Sequence, residues 1–155
     1  VVVIGIDPGV NTGLAVYRDG QLVECHSPAP GIVRAIDLVR ELVRLHPGRV
    51  LVAFEDSRLI GGIGGARRGS KADTARLQGA GSVKRDCAIW AEALGLMGVP
   101  YRQISPRDKG SKVDARGFAL LTGWDAPTNQ HSRDAAMVAY PYRNQNVLRG
   151  GIDLV

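Results

Sequence analysis

VVVIGIDPGVNTGLAVYRDGQLVECH, residues 1–26, decides the fold. Three β-prone segments, 1–7, 13–18 and 21–26, are separated by DPGVNT and by Asp19-Gly20. Asp-Gly between apolar-rich runs is a strong hairpin signal, so the second and third segments are expected to pair antiparallel. Next, residues 31–46 repeat Ile32, Ile36, Val39, Leu42, Val43 and Leu45 at helical spacing and stop before Pro47-Gly48. VLVAFE at 50–55 is short and almost wholly apolar, as a strand buried on both faces should be. The preceding helix is a crossover that lets this strand lie parallel to the first.

Working outward, residues 57–78 lose all periodicity and are rich in glycine and basic residues, which predicts a mobile loop. From Gly79 to Gly98 the set Val83, Cys87, Trp90, Ala91, Leu94 and Met97 predicts a second helix. YRQIS at 101–105 predicts a fifth strand, SKVDARGFALL a short helix, and HSRDAAMVAY a last helix stopped near Pro141. Neither an internal repeat nor a dividing linker is evident, so residues 1–155 read as a single α/β domain.

Acids mark the ends of these elements. Asp7 closes the first strand and Glu55 the fourth, while His131 and Asp134 lie three apart and share a face of the last helix. Asp7 alone, before Pro8-Gly9, fits a turn as well as a ligand, and a helix-start His or Asp is commonly a cap. Glu55 is harder to explain structurally, because a carboxylate ending a buried strand is costly unless paired or metal-bound. Asp56 is a second candidate, but strand alternation sends 55 and 56 to opposite faces, so only one can join Asp7. Crowded carboxylates repel unless cations neutralise them. Such a set suits hard divalent cations held against a phosphodiester.

Composition is compatible with that chemistry. The net charge of +5 favours an acidic partner. Cys25 and Cys87 are the sole cysteines, with no CxxC, which argues against a disulfide framework or zinc cluster and for a reducing, cytoplasmic setting. No apolar run is long enough for a membrane span. Between 57 and 85, Arg58, Arg67, Arg68, Lys71, Arg76, Lys84 and Arg85 face Asp73 alone, a local balance of +6. Arg107, Lys109 and Lys112 form a second cluster. Two basic clusters flanking an acid site favour DNA, whereas an isolated lysine would be ordinary solvated surface. GARRGSK lacks the GK[ST] order of a phosphate loop.

The segments IGIDPGVNTGLAVY, VAFED and LQGAGSVKRDCAIWAEAL, the Ser-Pro-Arg at 105–107 followed by lysines, and HSRDAA in the last helix resemble the RuvC Holliday-junction resolvases. The resemblance runs from Val3 to about Tyr140. It implies an RNase H-like fold, a five-stranded mixed sheet of order 3-2-1-4-5 flanked by helices. It also implies a homodimer that nicks opposed strands of a four-way DNA junction with Mg²⁺ or Mn²⁺, two ions per site. By residue match, Asp7, Glu55, His131 and Asp134 fall on the catalytic and metal-binding tetrad, and Lys109 and Lys112 approximate the phosphate-contacting lysines. Two departures stand out. His131 occupies a position where many members carry aspartate, which softens the donor set toward Mn²⁺. Arg58 stands where bacterial members place an aromatic residue, so a weak or absent cleavage-sequence preference is expected; the likeness also fits a phage-type branch, whose members cut other branched DNAs as well as junctions. The readings set against this one are a sugar-kinase or actin-like ATPase, which would need a second lobe, a non-catalytic junction binder, and an RNA-processing nuclease of the same fold.

Overall fold

The computed structural model describes residues 1–26, 31–60 and 71–145, with the side chains of 71–74 and 76 left aside. Arg67 and Arg68 lie outside the described residues, as do the side chains of Lys71 and Arg76. Five strands form one sheet: β1 (Val2–Asp7), β2 (Gly13–Arg18), β3 (Gln21–Cys25), β4 (Val50–Glu55) and β5 (Tyr101–Ile104). Their spatial order is β3-β2-β1-β4-β5, with β1–β2 and β2–β3 antiparallel and β1–β4 and β4–β5 parallel. The β2–β3 connection is the expected Asp-Gly turn, with Asp19 at φ 49° and Gly20 at φ 85°. Positive φ at both positions matches the twist of a two-residue hairpin.

Strand alternation splits the interior into two layers. Val2, Ile4 and Ile6 of β1 and Val50, Val52 and Phe54 of β4 face α1 (Ile32–Leu45) and α2 (Lys71–Met97), where Val39, Cys87, Trp90 and Leu94 complete one core. Trp90 is therefore core, and both cysteines are buried free thiols. Val3, Leu51 and Ala53 face the other way, against Phe118 of α3 (Ala115–Thr122) and Ala135, Ala136, Val138 and Ala139 of α4 (Gln130–Ala139). Asp7 and Glu55 continue this second series, so their side chains fall on the α4 face.

Two expectations are corrected. Of the loop expected over 57–78, Ser57–Leu59 form a 3-10 turn and α2 begins at Lys71, well before Gly79, while residues 61–70 lie outside the described residues. Near the start of α2, Ala75, Leu77, Gln78 and Gly79 are exposed, so no apolar stripe announces that stretch. The short third helix starts at Ala115 rather than Ser111, because the Asp114 side chain caps it by accepting from Gly117 N at 2.7 Å.

Candidate functional site

Asp7 and Glu55 emerge at the carboxyl ends of adjacent parallel strands, one step beyond the Ile6–Phe54 pair. Across them lies α4, and the approach is close enough to exclude side chains. A Cβ on Gly5 would sit 2.0 Å from the Ala135 carbonyl oxygen, and one on Gly13 would sit 2.0 Å from that of His131. These two glycines let the first turns of α4 rest on the backbones of β1 and β2. His131 and Asp134 are thereby delivered to the end of β1.

Neither His131 nor Asp134 is used as a cap. Asn129 takes that role through a capping box: its Oδ1 accepts from Ser132 N at 2.8 Å, while the Ser132 hydroxyl accepts from Asn129 N at 3.1 Å. Behind the helix start, Arg133 donates to the Val113 carbonyl, to Thr128 and to Gln130 Oε1. Held in this way, the Gln130 amide donates to Asp134 Oδ1 at 2.8 Å. Gln130, Gly5 and Gly13 carry no chemical signature in the sequence, and only the packing of α4 reveals their part.

The three carboxylates converge. Lys109, in the connection between β5 and α3, places its Nζ 2.5 Å from Glu55 Oε2 and 3.6 Å from Asp134 Oδ2, with only 11% of its side chain exposed. His131 Nδ1 lies 3.0 Å from Asp7 Oδ2, on a ring that is half-exposed. Asp7 is pushed up to about 6, chiefly by burial and further by the charges of Glu55 and Asp134, against the pull of His131 and Lys109. Burial works against the Lys109 ammonium, but the hydrogen bond it donates to Glu55 and the charges of Glu55, Asp134 and Asp7 outweigh it and hold its pKa above the ordinary lysine value.

Asp56 points to the opposite face, as strand alternation requires. Fully buried, it accepts from Arg58 Nη2 at 2.7 Å, Arg58 Nε at 2.9 Å and Gln103 Nε2 at 2.8 Å, and it caps the 3-10 turn through Arg58 N. Arg58 thus spends its charge within the protein. Arg85, Arg107 and Lys112 are exposed and Lys84 is half-buried, so these four of the expected DNA contacts are open to a ligand among the described residues.

Three carboxylates and an imidazole form a donor set suited to a hard divalent ion. Against one resident ammonium they leave two negative charges over when His131 is neutral, the charge that a divalent cation would neutralise. As the side chains stand, no three His, Cys, Asp or Glu groups among the described residues are drawn around a single point. An ammonium, rather than a ligand cage, organises the cluster.

The sequence matches no family model and no curated protein. Among solved structures, the fold is similar to that of T. thermophilus RuvC in complex with Holliday junction substrate, with a TM-score of 0.55 and 24% identity over 90% of this chain and 91% of that one. With its five-stranded mixed sheet of order 3-2-1-4-5 and flanking helices, the chain has a RuvC-like, RNase H-like fold.

Proposed function

We propose that the chain is a metal-dependent, structure-selective DNA endonuclease, one domain over residues 1–155, that resolves four-way junctions by paired symmetric nicks. The observation carrying this reading is the pairing of Glu55 and Asp134 with one largely buried ammonium, with Asp7 near enough to feel the charge of all three, on a RuvC-like fold. Asp7, Glu55, Asp134 and His131 are the residues that would hold Mg²⁺ or Mn²⁺. When bound, a pair of such ions supplies Lewis acidity, making a water more acidic and neutralising charge on the phosphate.

The remaining work belongs to side chains. Glu55 and Asp7, on the rigid ends of β4 and β1, fix where a phosphodiester can approach. Gln130 holds Asp134 in place. His131, oriented by Asp7 through Nδ1, has Nε2 available to accept or give a proton at the scissile phosphate. Arg107 and Lys112 beside the site, and Lys84 and Arg85 on α2, bind the backbone of the junction arms. A homodimer with two sites about a two-fold axis matches a symmetric junction and accounts for paired nicks. Such an enzyme works in the cytoplasm; among the described residues, no helix is long and apolar enough to cross a membrane.

Incubating a synthetic four-way junction with protein and Mg²⁺ or Mn²⁺ tests the proposal, with linear duplex, RNA substrates and ATP as parallel arms. The parent protein should give paired, symmetric nicks on the junction, and Asp7→Asn should bind it without cutting. Equal cutting by both proteins would refute the site, tight binding without cutting by the parent would make it a junction binder, and preference for RNA would move the substrate.

A further inference from the structure

We infer that Lys109 is a resident counter-ion of the acid cluster, occupying it in DNA-free protein and leaving when a divalent cation arrives. The inference rests on reading the cluster as a metal site. Its grounds are geometric: the ammonium lies between Glu55 and Asp134, its side chain is nearly buried, and it touches two of the three carboxylates. Arg107 and Lys112, its neighbours in the same connection, are exposed, so one cation of the stretch has been singled out.

Lys109 is also placed to leave. It lies outside regular structure, between Ile104 at the end of β5 and Ala115 at the start of α3, and is followed by Gly110 in the left-handed region at φ 83°. Its flexible four-carbon stem lets the ammonium swing while the backbone stays. Two cations within ~4 Å of the same carboxylates repel strongly at protein dielectric, so metal and ammonium exclude each other. The exchange is of charge only: the ammonium keeps its proton and moves outward, where a DNA phosphate is the anion it next meets. Free protein therefore binds metal more weakly than its donor set allows, and DNA, by drawing Lys109 away, raises metal affinity.

Calorimetric titration of Mn²⁺ into DNA-free protein tests the exchange without reference to cleavage. Lys109→Met should bind Mn²⁺ about tenfold more tightly than the parent, from removal of one competing charge. Lys112→Met, which removes an equal charge outside the cluster, should stay within about twofold. Asp7→Asn should lose binding. The parent protein offers a second measurement that no misfolding variant can spoil, the acylation of Lys109 by an amine reagent read by mass spectrometry. Lys109 should be protected without metal and several-fold more reactive at saturating Mn²⁺. Equal affinities of the parent and Lys109→Met, or Lys109 reactivity indifferent to Mn²⁺, would overturn the exchange while leaving the nuclease reading intact. Absence of Mn²⁺ binding from every protein, or undiminished binding by Asp7→Asn, would overturn both.

Discussion

Asp7 contributes a pH dependence of its own to the stability of the fold. Its carboxyl is raised to about 6, from an ordinary value near 3.8, because burial and two neighbouring carboxylates disfavour the anion. The folded state therefore holds a proton that the unfolded chain has released between those values, and stability falls as pH rises from about 4 to 6. Above that window the cost, of order 2–3 kcal/mol, is fully present. In chelator at pH 7.5, Asp7→Asn should therefore melt several degrees higher than the parent, with the gap closing near pH 4; thermal melts at the two pH values check this. The acids themselves were legible, since carboxylates ending apolar strands are conspicuous. The position of Lys109 was not: the sequence presents it as one of three basic residues between 107 and 112, and only the folded connection shows it facing inward. Arg58 was likewise unreadable, because its partner Asp56 is defined by strand alternation and by Gln103 on a different strand.

Among the elements, α4 decides whether a site exists. It lies against β1 and β2 without side chains between the backbones at Gly5 and Gly13, so a single methyl at either position forces the helix outward. Gly13→Ala should destabilise the fold by about 1–3 kcal/mol and abolish cleavage, because the displaced helix carries Asp134 and His131 with it. Denaturant melts with a parallel junction assay check both parts, and a stable, active Gly13→Ala protein would show the contact to be soft. The strands and the helices α1 and α4 were readable because each buries a periodic face or an apolar run. The start of α2 was not, because the exposed Ala75, Leu77, Gln78 and Gly79 give no buried face and leave no periodic trace. Asn129 as the cap was also missed, since His131 and Asp134 were themselves candidates for that position.

At the scale of the molecule, the sheet separates two cores, and the acid cluster lies at the carboxyl ends of β1 and β4 on the side of the second. The order 3-2-1-4-5 came from the resemblance of DPGVNTG and HSRDAA to RuvC sequences, and the meander and crossover that the turn and helix signals announced are compatible with it. On the nuclease reading, DNA affinity is a property of the whole basic surface rather than of one residue. If about six phosphates are neutralised, the logarithm of affinity should fall with the logarithm of salt at a slope near −5, measured by fluorescence anisotropy on an uncleavable junction with Asp7→Asn. A slope near −1 would mean that the basic residues are ordinary surface. The fold also separates the partners of the site widely along the chain, since Asp7 lies on the first strand and Asp134 on the last α-helix described. On the nuclease reading, a polypeptide still emerging from the ribosome is harmless to nearby DNA until the segment around Asp134 has cleared the exit tunnel, so translation itself acts as the safety catch.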